Sequence, residues 1–165
     1  MLNIKFHVVL LFILTTLVGA SYAKNSSDGT MESPNILFVF SDDHAWQSIG
    51  AYGGRLKEVA HTPHIDKLAS EGMLFRKCFV ANALCGPSRA AVLTGKYGHR
   101  NGVTWNRNTN FDGSQQTFPK MMRQNGYQTA IIGKWHLASV PTGFDYFDVM
   151  KGQGRYYNPF LQRGN

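Results

Sequence analysis

The chain alternates between short apolar runs of two different periods. Residues 35–40 (NILFVF) form an unbroken apolar run of strand length, the pattern of a strand buried on both faces as in a parallel sheet. The run stops at the polar Ser41-Asp42-Asp43-His44. Residues 62–72 (TPHIDKLASEG) combine a Thr cap, Pro at the first helical position, apolar Ile65, Leu68 and Ala69 on one face and a closing Gly72, which predicts a short helix. Residues 73–80 read as a strand, 87–94 as a helix closed by Gly95, 118–124 as a helix closed by Gly126, and 128–132 as a strand. Strands alternating with short helices predict an α/β domain in which a mainly parallel or mixed sheet is sandwiched between helices.

The N-terminus follows another logic. Lys5 precedes residues 8–18, an apolar run broken only by Thr15 and Thr16, and Ser21-Tyr22-Ala23 supplies small residues for a cut near Ala23, with Ala20 as the alternative. This pattern predicts a secretory signal peptide rather than a stable membrane span, which needs about 20 apolar residues. The expected organisation is a signal peptide over 1–23, a flexible polar leader over 24–33 containing the sequon Asn25-Ser26-Ser27, and a single domain over 34–165. The mature protein is then exported, to the periplasm or the medium. Composition adds that 43% hydrophobic and 16% charged residues in 165 exclude a disordered or collagenous chain. The net charge of +7 is scattered, without a basic run or an aromatic-interleaved stripe, so no nucleic-acid partner is expected and an anionic small substrate fits.

Three places carry candidate chemistry. Asp42-Asp43 sits where the first strand ends, and open α/β sheets gather ligands at the carboxyl ends of strands. Adjacent carboxylates suit a hard cation, calcium or magnesium; a helix cap beside a solvated Asp explains the pair equally well. The second place is Cys85-Gly86-Pro87-Ser88-Arg89, with Pro87 and Gly95 framing a helix. Cys85 is expected just before the helix, where free backbone N–H groups and the dipole favour an anion, and Arg89 one turn later offers a planar fork for sulfate or phosphate oxygens. The third is Gly133-Lys134-Trp135-His136 after a strand; by themselves Lys134 and His136 read as surface or satisfied polar residues. In an oxidising compartment Cys78 and Cys85 stay open between a disulfide and two separate thiols.

From Cys85 to Gly95 the chain resembles the sulfatase family, whose signature Cys-x-Pro-Ser-Arg-x-x-x-Leu-Thr-Gly is matched at every fixed position. The resemblance implies an alkaline-phosphatase-like fold, and oxidation of Cys85 to formylglycine by a formylglycine-generating enzyme or its equivalent. One hydroxyl of the hydrated aldehyde attacks sulfur and expels the alcohol; the second loses its proton and collapses to the aldehyde, ejecting sulfate. Cys78 then becomes a buried thiol of a core strand. The resemblance also makes Lys134 a sulfate clamp alongside Arg89, and His136 the base or hydroxyl orienter. Asp42, Asp43 and residue 85 become ligands of calcium, with magnesium as the alternative; the cation polarises the sulfate and favours the ionised nucleophile.

His61, His64, His99 and Arg100 fall in structural landmarks of the same family, and His44 stands next to the metal pair. Residues 141–147 (PTGFDYF) and 152–159 (GQGRYYNP) resemble bacterial carbohydrate sulfatases of the N-acetylglucosamine-6-sulfatase-like group, which implies a sulfated sugar as substrate. The family's second metal pair and its later His and Lys have no counterpart here. Residues 34–165 are therefore expected to be the N-terminal part of a catalytic domain, incomplete at the C-terminus and inactive alone. The rivals are a phosphonate or phosphate monoester hydrolase of the same superfamily and a non-catalytic anion- or glycan-binding remnant.

Overall fold

The structure is a computed structural model that describes residues 33–107 and 110–165. The signal peptide, its cleavage point and most of the leader, including the sequon, lie outside the described residues. The chain divides into two units, Met1–Phe40 and Ser41–Asn165. Of the first, residues 33–40 are described and run without regular secondary structure.

The second unit opens with two 3-10 turns, Trp46–Ser48 and Gly50–Tyr52, followed by helices α1 (Pro63–Glu71), α2 (Cys85–Thr94), α3 (Gly98–Asn101) and α4 (Phe118–Gln124). Strands β1 (Ala130–Lys134), β2 (Tyr146–Met150) and β3 (Leu161–Gly164) complete it. They form one sheet in the order β1-β2-β3, with β1 parallel to β2 and β2 antiparallel to β3. This is a small mixed α/β arrangement, narrower than the mainly parallel sheet expected.

Helix positions follow their sequence signals closely. Pro63 opens α1 and α4 spans the expected residues 118–124. Thr62, expected as a cap, makes no capping bond; its hydroxyl accepts the Gly50 N–H at 2.9 Å and donates to Asp66 Oδ1 at 3.1 Å. Asp66 also accepts the Ala51 N–H, so α1 is tied to the turn that follows Asp42-Asp43. Strand signals fared differently. Runs 35–40 and 73–80 form no strand, the second bending at residues 76–77, and Leu37 and Phe79 are 89% and 88% exposed. An apolar run becomes a buried strand only where neighbouring strands accept its backbone groups. Cys78 is accordingly exposed rather than buried in a core strand.

The core gathers Ala90 and Leu93 of α2, Val103 and Phe111 of the following loop, Trp135 and Leu137 after β1, and Phe147 and Val149 of β2. Alternation along β2 sends Phe147 and Val149 to this core. Asp148 between them is buried and paired with Arg163 of β3 at 2.8 Å. The opposite face, carrying Ile132, Tyr146 and Leu161, is exposed, so among the described residues the sheet is covered on one face and not sandwiched.

Candidate active site

The candidate residues converge where α2 begins and β1 ends. Cys85 is the first residue of α2, which begins two residues earlier than the 87–94 read from the sequence. Buried Gly86, Pro87, Ala90 and Leu93 face inward, which leaves Cys85 and Arg89, four apart, on one neighbouring face. The expected set of free N-terminal amides is smaller than foreseen. Gly86 donates to Asn106 Oδ1 at 2.9 Å, Ser88 donates to the Leu84 carbonyl at 2.8 Å, and Pro87 has no N–H. Anion attraction at this helix end therefore comes chiefly from side-chain charge.

That charge is close at hand. Lys134 Nζ lies 3.7 Å from Cys85 Sγ and 2.5 Å from Asp42 Oδ2. Arg89 donates through Nη2 to the same Asp42 oxygen at 3.3 Å and through Nη1 to the Lys134 backbone carbonyl at 2.7 Å. The Cys85 thiol meets Asp42 Oδ1 at 3.6 Å. Arg89 and Lys134 side chains are 13% and 11% exposed and Asp42 28%, so the three charges interact with little intervening water. The Lys134 hydrogen bond, with help from Arg89 and against burial, holds the Asp42 carboxyl below its usual range. Two cations against one carboxylate leave the cluster net positive, as an anionic ester requires.

His136 joins from the turn after β1. Its backbone adopts φ +50°, its Nδ1 is buried without a hydrogen-bond partner among the described residues, and burial first, then repulsion by Lys134 and Arg89, lowers its pKa below 6.5. A neutral imidazole beside two cations can accept or relay a proton at neutral pH. What places Lys134 and His136 is the residue between them. Trp135 is buried edge-on against Phe111 and Phe144, at 6.4 and 6.3 Å, and its indole N–H donates to the Ser139 carbonyl at 2.6 Å. Trp135 carried no site expectation, although a large aromatic between two polar residues is a signal of an anchor.

Asp43 adopts φ +53° and is exposed. Among the described residues no three His, Cys, Asp or Glu side chains converge as metal donors. Asp42 and residue 85 stand together, but this donor set falls short of the roughly six to eight oxygens that calcium takes and does not by itself make a cation centre. A formylglycine at 85 fits better, since Lys134 and Asp42 would meet its hydroxyls with a donor and an acceptor. Cys78 and Cys85 are both free. His44, His61, His64, His99 and Arg100 are exposed, with His99 stacked on Tyr97 at 6.0 Å. In the segments that resemble carbohydrate sulfatases, Phe147 is in the core and Phe144 packs against it, while Tyr156 and Tyr157 are exposed and Arg155 lies 5.6 Å over the Phe160 ring.

The sulfatase family model matches residues 34–164, which take in the helix bearing Cys85 and Arg89, the Lys134–His136 segment and Asp42: the chain belongs to the sulfatase family. It is 50% identical over 153 residues to the N-acetylglucosamine-6-O-sulfatase of Bacteroides thetaiotaomicron, covering 91% of this chain and 26% of that protein. It is 39% identical over 127 residues to human N-acetylgalactosamine-6-sulfatase, covering 70% and 24% respectively. Among solved structures it resembles BT4656 in complex with its substrate D-glucosamine-2-N,6-O-disulfate, with TM-score 0.74 and 51% identity over 79% of this chain and 26% of that one. The chain thus spans about a quarter of the length of the curated relatives it matches.

Proposed function

We propose that this protein is an exported sulfatase that removes sulfate from a sulfated carbohydrate, with a 6-O-sulfated N-acetylglucosamine as the substrate class. The observation that carries this reading is the convergence of Cys85, Asp42, Arg89 and Lys134 within hydrogen-bonding reach at the start of α2. The 50% identity to an N-acetylglucosamine-6-O-sulfatase supports the sugar.

In this reading Cys85 is matured to formylglycine, which supplies a hydroxyl nucleophile and a second hydroxyl through which sulfate is expelled. Lys134 and Arg89 bind the sulfate oxygens and balance the charge that builds on them. Asp42 holds both cations in place, and neutral His136 exchanges a proton with the reacting hydroxyls. Asp42, Asp43 and residue 85 are the residues of this chain that would contribute oxygens to a divalent cation, calcium before magnesium. Export follows cleavage near Ala23.

The test is sulfate release by the intact, matured protein from N-acetylglucosamine 6-sulfate, beside aryl phosphonate and phosphate esters. Faster cleavage of the sulfate ester, lost in Cys85→Ala, is the expected result. Preference for the phosphonate overturns the substrate class, and tight sugar binding without turnover overturns catalysis. Mass spectrometry of the tryptic peptide containing residue 85 checks maturation, and chelation followed by calcium or magnesium addition checks the cation.

A further inference from the structure

The reacting side chain at 85 stands on the first turn of α2, where a helix leaves backbone N–H groups without intrahelical partners. Gly86, the next residue, is buried, so its N–H must find an acceptor in the protein. The acceptor is the Asn106 side chain, twenty residues away in sequence, through Oδ1 at 2.9 Å. Just before the helix starts, Asn82 accepts the Leu84 N–H through Oδ1 at 3.1 Å.

The segment that leads to Asn106 is anchored in the core. Three residues earlier Val103 is fully buried, and its N–H is accepted by Asn101 Oδ1 at 2.9 Å. Asn101, also buried, donates through Nδ2 to the Lys96 carbonyl, and its own carbonyl accepts from Gln115 Nε2, both at 2.9 Å. The turn after α2 is thereby folded back so that Asn106 meets the start of the same helix.

We infer that Asn106 is a positioning residue for the reaction: it fixes the first turn of α2 and with it the direction in which the side chain at 85 faces Lys134 and Asp42. It touches neither of those groups and acts through the Gly86 amide. The inference rests on the sulfatase reading for its kinetic consequence, not for its structural one. Asn106→Leu keeps the side-chain size and removes the acceptor; Asn106→Asp keeps an acceptor that also suits a helix N-terminus.

The experiment measures hydrogen exchange of the Gly86 amide and steady-state sulfate release in the intact protein and both variants. The expected result for Asn106→Leu is exchange about tenfold faster and kcat about tenfold lower, with KM within about twofold, because a misdirected nucleophile loses rate rather than binding. Asn106→Asp restores both. Unchanged exchange in Asn106→Leu overturns the inference, as does a lowered melting temperature with wild-type kcat, or an equal kcat loss in both variants. If Asn106→Leu does not fold, Asn106→Ala carries the same comparison. Absence of sulfate release by the wild-type protein sinks the sulfatase reading separately, and the exchange rates then decide the positioning role.

Discussion

Gly133→Ala is the perturbation that best tests how the cluster is held. Gly133 pairs with Val149 in the parallel ladder, yet has φ +109°, a backbone region that favours glycine. A Cβ added there meets nothing within 4 Å, so the cost of the substitution is backbone strain with no clash to relieve. Holding a non-glycine residue in such a region costs about 1–3 kcal/mol. The chain can avoid that cost by rotating the backbone at 133, which moves Lys134 off Asp42 and Cys85. A strain of this size shifts a local equilibrium by about 5- to 150-fold, since 1.4 kcal/mol is tenfold. In the intact protein Gly133→Ala should lower both the melting temperature and kcat/KM for sulfate release. Gly95→Ala, at φ +65° with the same open surroundings at the far end of α2, serves as control and should lower the melting temperature with a smaller kinetic loss. Equal kinetic losses in the two variants, or full activity in Gly133→Ala, would refute the view that residue 133 aims Lys134.

Three further outcomes follow from the same geometry. Trp135→Phe keeps a ring between Phe111 and Phe144 but removes the donor to the half-buried Ser139 carbonyl, and should cost about 0.5–1.5 kcal/mol in denaturant unfolding. Because the folded-state pKa of Asp42 is lowered from 3.8, its stabilisation is complete above that value and is lost as pH falls through the lower folded-state pKa. Asp42→Asn should flatten the acid limb of melting temperature against pH; an unchanged limb counts against the ion pairs. His136 is also lowered, from 6.5, so folding disfavours its protonated form and stability rises with pH in the window just below 6.5. Its imidazole proton signals should titrate with a midpoint below 6.5, and a midpoint above it would show that Lys134 and Arg89 do not face the ring.

Local signals in the sequence were legible where the chain supplies its own partners. Helix 118–124 and the helix opening at Pro63 are marked by local signals, above all a proline in the first turn, which placed them well although neither start has a side-chain cap. Strands depend on distant residues, and runs 35–40 and 73–80 carry a strand pattern but form no strand in the structure. Strand β1 came out two residues later than its apolar run, at Ala130–Lys134, because pairing with β2 and not hydrophobicity sets its end. Strands β2 and β3 went unread: β2 carries a buried Asp148 that breaks an apolar pattern until Arg163 is known to face it. For the site, residue types could be read at Asp42, Cys85, Arg89, Lys134 and His136. What no motif specifies is that one Asp42 oxygen receives both cations, or that Asn106 reaches Gly86.

The two bonds of Arg89 have a consequence for anyone redesigning this site. One nitrogen grips a backbone carbonyl on the strand and another a carboxylate, so the guanidinium works as a splint between helix and sheet as well as a charge. Lysine at the same position would preserve the sign and discard the splint, because a single ammonium lacks the fixed fork. The positions of the two cations are therefore not independent variables. A library that varies residue 89 while holding 134 constant samples two properties at once, and only paired substitution separates attraction for the anion from the rigidity with which the neighbouring lysine is presented.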